Sequence, residues 1–228
     1  MDLVKLINDA IAFQKPEERR NYIGASSIGR SCNRAIWYEF RGAQRPEIPP
    51  SLQRIFDTGK QLEGMILNYI ELAGLSITRA VAKNNFLYLE DTELPIFQGH
   101  CDAILHISEL ESAIVEIKTA NNSSFNQFVK HGLIKWSESY YSQIQAYMGM
   151  SSYHKAVILV INKDNAELHH EWVTFNELHY EQLRNKARMI SKATIEPERI
   201  NKSPLYFICN RCQYKSVCHN GTTNGAGK

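Results

Sequence analysis

The sequence predicts an α/β domain, a mixed sheet flanked by helices, on three observations. Ala113–Thr119 (AIVEIKT) alternates polar and apolar residues with the period of a strand. Ala156–Ile161 (AVILVI) is wholly apolar, as a strand buried on both faces would be. Segments of helical period stand before, between and after them, which is the order of a layered α/β core. The 228 residues suffice to bury such a core without disulfides. With 43% hydrophobic and 22% charged residues the composition is that of a globular chain. No apolar run approaches the roughly 20 residues that span a bilayer, and no charged-then-apolar leader opens the chain. The expectation is a soluble cytoplasmic protein with no membrane partner.

Taken in order, residues 3–14 have helical apolar spacing, and Lys15–Arg20 is a charged break. Ser26–Arg41 reads as a loop leading into a short helix that buries Ile36, Trp37 and Phe40. Pro46, Pro49 and Pro50 mark a turn, and Ser51 is placed to cap the next helix. That helix carries Leu52, Ile55, Phe56, Leu62, Ile66, Tyr69, Ile70 and Ala73 on one broad face and stops at Gly74. Strands follow at Asn85–Glu90, over the long run Ile96–Ile107 and at Ala113–Thr119. Residues 120–135 read as a polar loop with a weak helical stretch at Phe125–His131. A helix at Ser137–Met150, strands at Ala156–Ile161 and Leu168–Phe175, and a helix capped by Asn176 and reaching Ala193 complete the core. Pro197 and Pro204 break the chain before a cysteine cluster, and residues 220–228 are small and polar, the composition of a disordered tail.

Charge is unevenly spread. The net of +2 divides into +6 from Lys186 to Lys228, with eight basic and two acidic residues, and −4 over residues 1–185, with 18 basic and 22 acidic. A basic end on an acidic body suits a polyanionic partner better than the total suggests. The five cysteines are an odd number and too sparse for a disulfide framework. In a reducing compartment Cys209-x2-Cys212-x5-Cys218 reads as soft-metal ligation.

The first chemical signal is Asp102 followed by Glu116-Ile117-Lys118. On a strand Glu116 and Lys118 share one face, and Val115 and Ile117 take the other. A hairpin through Ser108–Ser112 would bring Asp102 beside Glu116, while Cys101 points to the opposite face as a core thiol. Two carboxylates bind Mg²⁺ or Mn²⁺ through hard oxygens, and a neighbouring ammonium can orient a water for phosphodiester hydrolysis. The plainer alternative is a solvated strand face, since E-x-K alone is common.

Gly99-His100-Cys101-Asp102 with Glu116-Ile117-Lys118 resembles the core motif of the PD-(D/E)xK nuclease superfamily. Gln143-Ile144-Gln145-Ala146-Tyr147 resembles the Q-x-x-x-Y motif of its RecB-type branch. Gly59-Lys60-Gln61-Leu62-Glu63 resembles the helix preceding the sheet, with Glu63 in the manner of phage-type exonucleases. Ser31-Cys32-Asn33-Arg34 and the three C-terminal cysteines are similar to the iron–sulfur members of the branch, among them the fourth family of CRISPR-associated proteins.

The resemblance implies a restriction-endonuclease-like fold over roughly residues 26–219. Its parts are an N-terminal helical segment (1–50), a nuclease core (51–193), a cysteine segment (194–219) and a tail (220–228). Cys32, Cys209, Cys212 and Cys218 would hold a 4Fe-4S cluster that staples the chain ends. Zinc is the competing occupant, with His219 available to join it, although a zinc ribbon would normally offer a second C-x2-C pair. Glu63, Asp102, Glu116 and the Ile117 carbonyl would hold Mg²⁺ or Mn²⁺, Lys118 would position the water, and Gln143 and Tyr147 would place the scissile strand. Arg30, Arg34, Arg211 and Lys215 would draw phosphates toward the site.

The function so implied is a metal-dependent exonuclease on single-stranded DNA or DNA ends, in CRISPR adaptation, phage recombination or repair. No G-x-x-x-x-G-K-[ST] loop is present, so an integrase, recombinase or helicase would be a separate partner. The alternative is an iron–sulfur DNA-binding or assembly subunit whose nuclease activity is dispensable.

Overall fold

The computed structural model describes residues 1–13, 20–79 and 87–220. The expected tail lies outside them but for Asn220, as do most of the charged break at Lys15–Arg20 and the start of the strand expected at Asn85.

α1 (Leu3–Ala12) is capped by Asp2, whose side chain accepts from the Lys5 amide at 3.0 Å. β1 (Ile23–Gly24) runs into α2 (Ala25–Ile28) and α3 (Asn33–Arg41). α3 buries Ala35, Ile36, Tyr38 and Glu39, whereas Trp37 and Phe40, expected to be buried, are half-exposed at its side. α4 (Pro50–Leu72) starts with Pro49 at the cap and Pro50 in the first turn, so Ser51 lies inside the helix and is not its cap. Proline suits that place because the first amides of a helix have no partner to lose.

Of the broad apolar face expected on α4 only Ile66 is buried, with Leu62 and Ile70 packed partly buried beside it; Leu67, outside that face, is buried too. Leu52, Ile55, Phe56 and Tyr69 are exposed. The helix covers the sheet with its second half, and Arg54 of its first half donates to Asn8 of α1 at 2.8 Å.

Two sheets follow. One has the order β1-β4-β3, from β3 (Tyr88–Glu90) and β4 (Phe97–His100), with β1 parallel to β4. The other has the order β2-β5-β6-β7-β8. Its strands are β2 (Ser76–Arg79), β5 (Ala103–His106), β6 (Ser112–Ala120), β7 (Lys155–Asn162) and β8 (Leu168–Thr174). Only β6 and β7 are parallel in it.

The run Ile96–Ile107 is therefore not one strand. It breaks at Cys101–Asp102, and its halves β4 and β5 belong to different sheets. β2, only four residues long and lacking strong periodicity, is a strand that the sequence reading left out.

Residues 120–135 are mostly helix. α5 (Asn122–Trp136) is capped by Asn121, which accepts from the Ser124 amide at 2.9 Å, and it is kinked at Gly132, where φ is +75°. Glu171 on β8 accepts from the Leu133 amide at 2.7 Å and so restarts the helix after the kink. α6 (Glu138–Gly149) is capped by Ser137, and α7 (Glu177–Lys192) by Asn176 as expected. α8 (Phe207–Asn210) and α9 (Lys215–Asn220) carry the last cysteines.

The five-stranded sheet is sandwiched. On one face Ile66 and Leu67 of α4 meet Ala103, Leu105, Val115, Ile117, Val157 and Ile161. On the other, Ile104, Ile114, Ile158 and Val160 pack with Ile144 and Met148 of α6, Leu183 and Ile190 of α7, and Ile23, Ile28 and Ile36. Burial of apolar surface at about 25 cal/mol per Å² makes these two layers the main source of stability. Among the described residues no helix is long and apolar enough to cross a membrane.

Candidate active site

β6 places the chemistry. Its residues alternate between the faces, so Val115 and Ile117 enter the layer under α4 while Glu116 and Lys118 turn toward α6 with Ile114. Glu116 is only 2% exposed, so the pair does not form a solvated strand face. A buried carboxylate is costly unless it is bonded or paired. Lys118 Nζ donates to Glu116 Oε1, and Gln143 Nε2 donates to the same oxygen at 2.8 Å. Gln143 Nε2 also lies 2.7 Å from the Tyr147 hydroxyl, which donates to the His100 carbonyl at 2.6 Å. Gln143 and Tyr147, one turn apart on α6, thus tie Glu116 to the end of β4.

Gly99 makes this link sterically feasible. A Cβ there would come within 2.6 Å of the Tyr147 ring and 2.8 Å of the Ala25 Cβ. Asp102, in the break between β4 and β5, accepts from the Ile117 amide at 2.7 Å through Oδ2. Ala103 pairs with Val115, so the register sets Asp102 beside Glu116, the juxtaposition expected of a hairpin.

Asp102, Glu116, Lys118, Gln143 and Tyr147 line one cleft of about 210 Å³. Its rim adds Arg20, Tyr22, Ser26 and His100, to which the sequence reading gave no role. Glu63 lies half-buried on α4, close enough to feel Asp102 and Lys118.

Electrostatics ties these groups together. Burial, then the charge of Asp102, pushes Glu116 up to about 8, against the pull of Lys118. Burial and Asp102 likewise raise Glu63 to about 7. Burial raises Asp102, with Lys118 and the Ile117 amide opposing. Burial works against the Lys118 ammonium, but Glu116 and Asp102 outweigh it and hold the lysine above its usual value.

All three carboxyls are thus held above their usual range, chiefly by burial, and Glu116 Oε2 is buried without a hydrogen-bond partner. Those features fit a divalent cation with hard oxygen donors. Among the described residues, no three His, Cys, Asp or Glu side chains are already assembled as a metal site.

A second cavity, of about 630 Å³, holds the cysteines. Cys32, brought there at the start of α3, lines it with Cys209, Cys212, Cys218 and His219. None of these cysteines is in a disulfide. Burial, then the charges of Cys32 and Cys218, raise the Cys209 thiol, and burial raises that of Cys212. Tyr214, fully buried and placed between Cys212 and Cys218 in sequence, packs on Tyr38 at 5.7 Å and accepts from Arg45 Nε at 2.9 Å. His219 Nε2 is buried without a partner.

The four basic residues expected to draw phosphates line this cavity and not the acidic cleft. Arg30 pairs with Glu39 at 2.5 Å, and Arg34 with Glu196 at 2.9 Å and the Pro197 carbonyl at 2.5 Å. Lys215 donates to Asn210 at 2.7 Å, and Arg211 is exposed.

Tyr140 is a further residue at the site that the motifs did not include. Its ring lies 4.9 Å from Lys118 Nζ. Its place three residues before Gln143, on the same stripe of α6, was the available signal.

Solved structures share the fold. An alkaline exonuclease (LHK-Exo) from Laribacter hongkongensis aligns with a TM-score of 0.57 at 14% identity, covering 82% of this chain and 90% of that one. LHK-Exo in complex with dAMP aligns with a TM-score of 0.57 at 14% identity, over 76% and 87% of the two chains. SSO0001 aligns with a TM-score of 0.58 at 17% identity, over 97% and 95%. No curated protein matches the sequence. Residues 16–154 match the family model described as YqaJ-like viral recombinase domain. That span includes Cys32 and every residue of the acidic cleft named above, and it ends before Cys209.

Proposed function

The chain belongs to the YqaJ-like viral recombinase domain family, and from that premise we propose that it is a divalent-metal-dependent DNA exonuclease of phage-type recombination. The observation that carries the reading is Glu116, buried with one oxygen held by Lys118 and Gln143 and the other unpartnered, beside Asp102 and within the field of Glu63. A family of viral recombinase domains favours this setting over CRISPR adaptation or repair, and an exonuclease of the same fold, LHK-Exo, is in keeping with the activity.

Glu63, Asp102 and Glu116, with the Ile117 carbonyl, would hold Mg²⁺ or Mn²⁺. The cation, when bound, supplies charge neutralisation at the scissile phosphate. The chain's own groups do the rest. The Lys118 ammonium orients the attacking water and stabilises the charge that develops on the phosphoryl oxygens. Gln143 and Tyr147 fix the carboxylate of Glu116 and border the strand being cut, and Arg20 on the rim attracts its backbone.

The cysteine cavity is read as the seat of a 4Fe-4S cluster held by Cys32, Cys209, Cys212 and Cys218. Four soft donors lining one cavity support this, as does Arg34 set against the negative charge of a thiolate cluster, although among the described residues no three of these donors are assembled as a metal site. Arg34 Nη1 lies 4.0 Å from Cys218 Sγ, and Arg199 bonds the Cys218 carbonyl at 2.6 Å. Zinc with His219 is the competing occupant, supported by the unpartnered His219 Nε2. Anaerobically purified protein that is coloured and bleaches on reduction carries the cluster; colourless protein with stoichiometric zinc refutes it. Arg211 and Lys215 at this end would contact DNA, whereas Arg34, paired with Glu196 and the Pro197 carbonyl, is suited to holding the chain ends together, and the pair of Arg30 with Glu39 stays within the N-terminal segment.

The activity is tested on end-labelled single- and double-stranded DNA with Mg²⁺ or Mn²⁺, comparing wild type with Lys118→Ala. Wild type should degrade from an end, and the variant should be at least roughly a hundredfold slower. A wild type that binds DNA and leaves it intact under every condition sinks the nuclease reading and favours a DNA-binding or assembly subunit.

A further inference from the structure

Lys118 is the group that must reach the reacting phosphate, yet a lysine ammonium rides on a flexible four-carbon stem. One partner, Glu116 Oε1, fixes only one side of it. The other contact is the face of Tyr140, 4.9 Å from Nζ. Tyr140, Gln143 and Tyr147 stand at positions i, i+3 and i+7 of α6 and share a stripe.

The tyrosine is itself braced from behind. Its ring is 5.2 Å from that of Trp136, which is 5.0 Å from Phe128 and donates through Nε1 to Ser124 Oγ at 2.9 Å. Lys118 is 21% exposed, and a ring holds a cation more strongly where water is largely excluded.

We propose that Tyr140 is a positioning residue for Lys118. Its ring face holds the ammonium over Glu116 and sets the reach of Lys118 toward the scissile phosphate. The inference rests on the nuclease reading and deepens it by adding a residue, outside the recognised motifs, that supports Lys118 of the acidic cleft.

The test uses the full-length protein with Tyr140→Phe, which keeps the ring, and Tyr140→Leu, which removes it. On end-labelled DNA with Mg²⁺, Tyr140→Leu should lower kcat roughly three- to thirtyfold, the range expected for loss of one ring–cation contact. KM for DNA should stay unchanged, and Tyr140→Phe should keep most of the wild-type kcat.

By NMR, the ε-methylene resonance of Lys118, identified by its loss in Lys118→Ala, should be ring-shifted in wild type and Tyr140→Phe. In Tyr140→Leu it should return toward its free position. If Tyr140→Leu does not fold, Tyr140→Met, which refills more of the space without an aromatic face, takes its place.

A wild type that cuts DNA while the ringless variant cuts equally fast overturns the inference alone. So does a Lys118 resonance that ignores the ring, or a loss that Tyr140→Phe shares in full. A wild type that cuts no DNA overturns the nuclease reading, and the role assigned to Tyr140 with it.

Discussion

Glu116 and Lys118 sit on one face of β6 between Ile114 and Ala120, both in the apolar layer against α6. The period of a strand places them together, but it does not say whether that face is wet or dry. Burial came from α6, which covers the face and brings Gln143, a residue that could equally have been a surface glutamine. His179 is a second residue whose state only packing sets. It lies in the first turn of α7, 3.1 Å from Ser142 Oγ beside Gln143, with its ring tilted against that of Tyr141 at 5.0 Å. Burial lowers its affinity for a proton, with Glu138 opposing. The unfolded chain titrates at the ordinary histidine value of about 6.5, so below that pH it binds more protons than the native state does. The stability held at neutral pH is therefore lost as acid carries the protein down through the lowered native value. Urea midpoints at pH 7.5 and 5.5 should fall further for wild type than for His179→Gln. Equal falls would remove His179 from the account.

The elements that strong periodicity marked were legible: β6, β7, β8, α6 and α7 lie within a residue or two of their expected ends. The missed ones have separate causes. β4 and β5 read as one strand because nothing local marks Cys101–Asp102 as the place where the chain passes from one sheet to the other. α5 reads as mostly loop in the sequence because its Asn and Ser residues are weak helix formers. Asn121, Glu171 and the burial of Phe125, Phe128 and Leu133 make it a helix. The approach of α2 to α6 also depends on a detail of contact. A Cβ at Gly29 would meet Ser139 Cα at 2.7 Å and Ser142 Cβ at 2.8 Å, and the former is backbone. Gly29→Ala should therefore destabilise the fold by about 1–3 kcal/mol, read as a lower urea midpoint. An unchanged midpoint would mean that the two helices slide apart freely.

Across the whole molecule α6 spans two cavities, with Glu138 and Ser139 lining the cysteine end and Gln143 and Tyr147 the acidic cleft. Much of the +6 of the C-terminal segment is engaged near the first of these. Lys186 bonds the Arg30 carbonyl at 2.7 Å, and Arg199 bonds that of Cys218. If a cluster joins Cys32 to the C-terminal cysteines, its loss loosens both chain ends at once. Cys209→Ser or Cys212→Ser, purified anaerobically, should lower the thermal midpoint of the whole chain and lose bound metal; metal-free wild type with the same midpoint would dispose of the staple. The sequence by itself determined what repeats along the chain: the α/β layering, the shared face of Glu116 and Lys118, the stripe of Gln143 and Tyr147, and the acidic and basic blocks. Only the tertiary structure decided that Glu116 is dry, that the Tyr140 ring lies beside Lys118, and that the cysteines, with Arg30, Arg34, Arg211 and Lys215 near them in sequence, line a cavity apart from the acidic cleft. Period is a property of neighbours along the backbone, whereas burial and ion pairing are set by segments far apart in sequence, and these meet only when the layers pack.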